Sequence, residues 1–327
     1  MLDVLDNKTI LITGGTGSFG RSFVKYILRN EQIKKIIVFS RDELKQSYMQ
    51  KEIHDERLRF FIGDIRDKDR LQRAFKKVDI VVHAAALKQV PTLEYNPFEA
   101  VKTNIIGTQN VIDAAIDQGI QKAILISTDK SVEPINLYGS TKLCAEKLFI
   151  SGNSYAPCQT KFSCVRYGNV IGSRGSIVEV LMNKKHEEKI KITDDRMTRF
   201  WISLEQSFAL VLFSLKYMRG GEIFIPKIPS MKLIDLVDAI APNCDYEIIG
   251  MRPGEKIHES LLTKEEASHS VEFDNYIVVL PEFSFSGANY DGYLKSGKKL
   301  EEGFTMSSNS NSNYLTKEEL KKIISNL

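Results

Sequence analysis

Only four cysteines occur in the 327 residues, Cys144, Cys158, Cys164 and Cys244, at spacings that match neither a zinc site nor a redox pair. That argues against a disulfide framework and for free thiols in a reducing cytosol. Five scattered histidines form no metal-ligand cluster, so no metal is expected. An excess of one charge is missing too: 45 Lys+Arg against 42 Asp+Glu leave +3. A general nucleic-acid or membrane-surface binder needs a concentrated excess, and neither partner is expected. The segment Met1 to Asp6 bears acids where an export signal has a basic region and an apolar run. Long apolar runs are absent as well; Ile80-Val81-Val82 and Ala84-Ala85-Ala86 stop far short of the ~20 residues of a spanning helix. A cytoplasmic globular protein is the expectation, 43% hydrophobic and 27% charged, long enough for one large domain or two.

The first half alternates β-branched runs (Thr9 to Thr13, Ile36 to Phe39, Arg59 to Ile62, Ile80 to His83, Ile124 to Ser127, Phe162 to Tyr167) with amphipathic stretches such as Phe23, Val24, Ile27 and Leu28. Apolar strands separated by helices predict a doubly wound α/β fold, a parallel sheet covered on both faces. Residues 1–166 are read as the nucleotide-binding domain, with return segments near 195–228. Residues 167–327, rich in turn-formers, are read mainly as a smaller substrate-binding domain capping the sheet. Ser307 to Asn313 is a low-complexity polar loop, and a last helix starts at Thr316, with Glu319 completing a capping box and Leu320, Ile323, Ile324 and Leu327 as its apolar stripe.

The first run passes through Gly14, Gly17 and Gly20 straight into a helix. Glycines there permit a tight turn and close approach of a pyrophosphate, which the helix N-terminus attracts. The second run ends in Ser40-Arg41-Asp42, where an NAD binder would carry an acid for the ribose. A guanidinium grips a 2′-phosphate, and Lys45 one turn later adds charge, so NADP is favoured, with Asp42 as the contrary sign. Asp64 is either an acceptor for the adenine amino group or an ordinary strand-end cap. Ala84 and Ala85 are small where a cofactor would lie close. The fifth run delivers Ser127-Thr128-Asp129-Lys130 to a carboxyl strand end, followed by Tyr138 and, four residues on, Lys142. On one helix face the Lys142 ammonium would lower the phenol's pKa from about 10 toward neutrality and make tyrosinate a base.

The glycine loop, Thr128 and Tyr138-x-x-x-Lys142 resemble the extended short-chain dehydrogenase/reductase superfamily. More closely, Ser40 to Glu43, His83 to Lys88, Ser127 to Lys130, Arg166 to Val170, Ser173 to Ser176, Met197 to Phe200 and Arg252 to Lys256 resemble the inverting UDP-N-acetylglucosamine 4,6-dehydratases that open pseudaminic acid biosynthesis. The resemblance runs from about residue 7 to the C-terminal helix. It implies NADP contacts from Gly14, Thr16, Gly17, Ser18, Phe19 and Gly20, from Ser40, Arg41, Asp42 and Lys45, and from Asp64, Ile65, Ala84, Ala85, Lys88, Tyr138, Lys142 and Val170. It implies UDP-N-acetylglucosamine contacts from Lys88, Asn169, Arg174, Thr193, Arg199, Arg252 and Glu255, with the arginines on the pyrophosphate. Catalysis falls to Thr128, Asp129, Lys130, Tyr138 and Lys142. Tyr138 takes the 4-hydroxyl proton as hydride leaves C4; Lys130, if its pKa is depressed by the nearby cationic nicotinamide and by burial, removes the C5 proton; Asp129, if held protonated, protonates the departing 6-hydroxyl; hydride returns to C6. C5 inversion, a homohexamer and a product directed to flagellin glycosylation are further implications. Two other classes remain: an epimerase or reductase, needing only Tyr138, Lys142 and cofactor, and a silent NADP sensor.

Overall fold

The structure is a computed structural model and describes every residue except 156–158, 174, 183–188, 243, 286 and 326–327. The six apolar runs form six strands, β1 (Thr9–Thr13), β2 (Lys35–Ser40), β3 (Leu58–Ile62), β4 (Ile80–His83), β5 (Lys122–Ile126) and β6 (Lys161–Val165). They pair in parallel in the order 3-2-1-4-5-6. All residues of β1 and β4 are buried, which is why both strands read as unbroken apolar runs rather than alternating ones. The order reverses between β1 and β4, and such a reversal opens a crevice at the carboxyl ends of the strands. The fold is therefore doubly wound α/β, as the alternation predicts.

The sheet does not end at β6. Ile223–Pro226 adds in parallel, and Tyr276–Val279, Ser270–Glu272 and Lys298–Lys299 follow antiparallel, making ten strands. The chain thus returns to the sheet beyond residue 228 as well. Strands of two to four residues between irregular turns carry too little periodicity to announce this. A separate cluster around Ile171, Trp201, Leu236, Val237 and Leu320 forms a second core, crossed by the strands Asn169–Val170, Thr198–Ile202 and Ser230–Lys232. The last helix spans Lys317–Ile324, with Thr316 and Glu319 forming the capping box and Leu320 fully buried; Leu327 lies outside the described residues.

Two polar features are structural rather than decorative. Ser308, inside the stretch read as a polar loop, is fully buried. Its backbone N–H donates to the Glu259 carbonyl (2.8 Å) and its hydroxyl accepts from the Glu259 N–H (2.9 Å), so serine replaces a missing ladder partner. Arg166, at the end of β6, is 1% exposed and donates to both oxygens of Glu146 and of Glu266. Glu146 also accepts from Ser131 Oγ at 2.8 Å, tying this buried ion cluster to the turn after β5. No helix among the described residues is long and apolar enough to cross a membrane.

Candidate active site

Gly14 adopts φ +66°, and a Cβ there would lie 2.9 Å from the Ala85 Cα and N. Gly17 caps the helix Ser18–Ile27, and a Cβ on Gly20 would meet Gly15 Cα at 2.5 Å, so the third glycine lets the helix seat on the turn. The result is a cradle of bare backbone at a helix N-terminus that has no side-chain cap. Ala84 and Ala85 line it, their N–H groups donating to Thr13 O (3.2 Å) and Thr13 Oγ1 (3.3 Å). Thr16 is buried, whereas the Phe19 ring packs on Phe23 and Phe208, leaving its backbone for any ligand contact.

At the end of β2, Ser40 is buried and accepts from Gln46 Nε2 at 3.0 Å. Arg41 is half exposed, its Nη1 3.4 Å from Asp64 Oδ2. Asp42 is spoken for: it caps the helix Glu43–Glu52 by accepting from the Lys45 N–H and pairs with Lys45 Nζ at 2.6 Å. Asp64 acts as a strand-end cap, accepting from the backbone and guanidinium of Arg66, which holds its carboxyl below the usual range against the opposing effect of burial. Ile65 is a core side chain beneath Gly107. Lys88 lies between β4 and the helix Val90–Tyr95.

Across the crevice, Thr128 caps a short 3-10 turn, Asp129–Ser131, at the end of β5. Asp129 is fully buried; Oδ1 accepts from the Thr128 hydroxyl (2.9 Å) and Lys130 Nζ (3.0 Å), while Oδ2 has no hydrogen-bond partner. Lys130 Nζ also donates to Asn169 Oδ1 at 3.2 Å and stands 3.5 Å from Glu259 Oε1. The helix Leu137–Tyr155 presents Tyr138 to the same turn, its phenol hydrogen-bonded to Thr128. That approach depends on Gly139, where a Cβ would stand 2.1 Å from the Lys130 carbonyl oxygen. Helix and turn are thus in backbone contact.

The charges around this turn act on both the phenol and the amine. Burial pushes the Tyr138 phenol up to about 12, and the ammonium opposing it is Lys130, together with the Thr128 hydrogen bond, rather than Lys142. Lys142 Nζ donates to the Ile126 carbonyl at 2.7 Å, and burial lowers its own pKa to about 8. For Lys130, burial disfavours the ammonium and Arg199 adds to that, but the carboxylates of Asp129 and Glu259 outweigh both and raise its proton affinity. The depression expected from sequence comes from burial and from a cationic nicotinamide; burial acts in that direction here, and the carboxylates of Asp129 and Glu259 oppose it.

Of the remaining predicted residues, Asn169 and Arg199 lie near Lys130. Val170 pairs with Ile202, which fixes Asn169 beside Lys130. Both Nη atoms of Arg199 are occupied by the carbonyls of Thr198, Lys256 and Ile257 and by Met197 Sδ. Thr193, buried nearby, donates to the same sulfur at 3.2 Å. Arg252 is exposed, and Glu255 Oε2 accepts from its N–H at 3.2 Å. This loop is pinned at two points: Asn136 Nδ2 donates to Gly254 O (2.8 Å) and Lys256 Nζ to Val132 O (2.6 Å). Arg174 lies outside the described residues. Two residues escaped the sequence reading. Asn104, buried in the π-helical turn Val101–Ile106, bridges Leu87 and Thr141; a π-turn leaves no residue-type signature. Glu259, 3% exposed, follows Arg252 to Lys256 as one more acid in a charged stretch. Among the described residues no group of acidic, His or Cys side chains is placed to hold a metal.

The arrangement sets a glycine cradle against a phenol, an amine and two carboxyls gathered around one turn. Against known proteins, residues 10–281 match the family model described as polysaccharide biosynthesis protein. A curated relative from Campylobacter jejuni subsp. jejuni serotype O:2, named UDP-N-acetylglucosamine 4,6-dehydratase (inverting), is 49% identical, with 98% of each chain covered. One from Rickettsia bellii, named UDP-glucose 4-epimerase, is 41% identical over 98% of this chain and 96% of its own. The X-ray structure of Pen from Bacillus thuringiensis superimposes with a TM-score of 0.90 at 40% identity, covering 98% of both chains.

Proposed function

The chain belongs to the polysaccharide biosynthesis protein family, among the extended short-chain dehydrogenase/reductases, and from that membership we propose that it is an NADP-dependent hydro-lyase acting on UDP-N-acetylglucosamine. Its product is UDP-2-acetamido-2,6-dideoxy-β-L-arabino-hex-4-ulose. The observation that carries the reading is the Asp129-Lys130 pair beside Tyr138, its carboxyl fully buried and its ammonium partly so, an acid/base couple for which simple C4 oxidation and reduction has no use.

NADP fits the cradle by the bare backbone at Gly14 and the unpartnered, buried Ser127 hydroxyl beside Thr128. With Asp42 engaged as a helix cap, the exposed group at the end of β2 is the Arg41 guanidinium, suited to a 2′-phosphate. When bound, the nicotinamide supplies a hydride acceptor for C4 and a donor for C6. Tyr138 Oη takes the 4-hydroxyl proton; the Thr128 hydrogen bond and the Lys130 charge are what favour its phenolate. Asp129 and Lys130 share their protons. As carboxylate and ammonium neither fills its role, but passing one proton across the 3.0 Å contact yields an amine and a carboxylic acid together. Lys130 Nζ then removes the C5 proton while Asp129 protonates the 6-oxygen, which leaves as water. Asn169 holds Lys130 and, with Arg199 and Arg252, faces the nucleotide diphosphate. Inversion at C5 rests on the similarity to the Campylobacter dehydratase. A cytoplasmic homohexamer feeding pseudaminic acid synthesis and flagellin glycosylation completes the reading.

The Rickettsia relative keeps an epimerase reading in the test. The protein is incubated with UDP-N-acetylglucosamine in deuterated water without added NADPH. The hydro-lyase forms a 6-deoxy-4-keto sugar with deuterium at C5, and Lys130→Ala abolishes elimination. Formation of UDP-N-acetylgalactosamine without deuterium indicates an epimerase, unchanged sugar indicates a sensor, and full turnover by Lys130→Ala removes that residue from the chemistry.

A further inference from the structure

Glu259 is a carboxylate in a place that is expensive to occupy. It is 3% exposed, Oε1 lies 3.5 Å from Lys130 Nζ, and Oε2 is buried without a hydrogen bond, its nearest cation being Lys256 Nζ at 3.9 Å. A buried acid kept short of partners costs stability unless it serves another group. Its backbone is fixed independently of its side chain, since the Ser308 N–H donates to its carbonyl and the Ser308 hydroxyl accepts from its N–H. That hydroxyl also contacts Thr198 Oγ1 at 2.6 Å, which in turn contacts His258 Nδ1 at 2.9 Å. The carboxylate is therefore delivered to Lys130 by a built support.

We propose that Glu259 is a positioning residue that keeps the Asp129-Lys130 pair loaded with its proton and so sets the pH range in which the site abstracts the C5 proton. The role rests on the function proposed above. The charged groups facing the pair are Glu259, Arg199 and the Tyr138 phenol, and those facing Glu259 are Lys130 and Lys256. Two titrations bound the working state, gain of a proton by the pair on the acid side and loss of one on the alkaline side. They belong to the pair rather than to either residue. A second negative charge in contact raises both, and removing it lowers both. The whole bell then moves toward acid, whereas lost packing lowers its height at every pH.

The test is the pH dependence of deuterium entry at C5, measured with UDP-N-acetylglucosamine on the full chain for wild type, Glu259→Gln, Glu259→Asp and Lys130→Ala. Glu259→Gln, equal in shape, is expected to displace both limbs to lower pH by about 1–3 units, the range for a contacting charge. Glu259→Asp, which keeps the charge, is expected to restore the wild-type limbs even if the rate falls. Limbs of Glu259→Gln that coincide with wild type at any rate overturn the role. Lys130→Ala separates the two proposals: loss of C5 exchange while NADPH absorbance still reports C4 oxidation upholds the proposed chemistry, so an unmoved Glu259→Gln profile then counts against Glu259 alone. Full C5 exchange in Lys130→Ala overturns both.

Discussion

Gly139→Ala is a one-carbon perturbation aimed at the contact between the Tyr138 helix and the Lys130 turn. The added Cβ would stand 2.1 Å from the Lys130 carbonyl oxygen. Close carbon–oxygen contacts run at about 3.3 Å, so roughly 1 Å of separation has to be created. Neither side yields readily: the turn is anchored by Ser131 Oγ to Glu146 and by the Asp129 N–H to Tyr167 O, and the helix start by Asn136 to Gly254. Overpacking of this kind costs about 1–3 kcal/mol. The larger effect is on rate, because displacing reacting groups by about 1 Å costs on the order of 100-fold. Urea unfolding and kcat for the 4-keto product measure both, with Gly292→Ala as control, since a Cβ there meets nothing within 4 Å. The expected outcome is a drop in kcat near two orders of magnitude with a modest loss of stability, the control being unaffected. A Gly139→Ala protein with wild-type kcat would refute the claim that this backbone contact sets the catalytic register.

Two further outcomes follow from the cofactor half. Arg41→Ala is expected to weaken NADP binding by about 10–100-fold, the worth of hydrogen bonds to a charged group, with NAD unaffected; equal losses for both in a binding titration would remove Arg41 from the 2′-phosphate. His83 is buried between Thr13 Oγ1 (2.7 Å) and Thr108 Oγ1 (3.1 Å), and burial lowers its pKa from 6.5 to about 3. The unfolded chain then holds a proton that the folded chain lacks across that interval, so stability is complete above pH 6.5 and is lost as pH falls toward 3. The loss amounts to about 5 kcal/mol at most. His83→Gln is expected to flatten the dependence of unfolding free energy on pH in that window, and an unchanged slope in urea titrations would show that another group carries it.

The sequence made the first half of the fold legible because β1 and β4 are buried on both faces and their composition says so. The glycine cradle was legible for a related reason, as only glycine tolerates Ala85 so close. The sheet strands beyond residue 228 were not: Lys298–Lys299 is exposed, and Ser270–Glu272 and Tyr276–Val279 are three and four residues long, so nothing periodic marks them. In the site, Asp129, Lys130 and Tyr138 were found because they are near neighbours along the chain. Glu259 was missed because 129 residues separate it from Lys130, and only folding turns an unremarked acid into the second carboxylate. The same distance hides the second counter-charge on Lys130: the sequence pairs it with Asp129 alone, and the folded site adds Glu259.

The segment from Arg252 to Lys256 is stitched to Val132 and Asn136, and the Arg199 guanidinium is stitched to the end of the same segment. One short length of chain therefore links the Arg199 guanidinium to the turn that carries Asp129 and Lys130, like a splint laid across two bones. Under the function proposed above, a nucleotide that tugs on the splint shifts the Asp129-Lys130 turn with it, so the UDP half of the substrate, which stays attached throughout, is felt at C5 through the backbone.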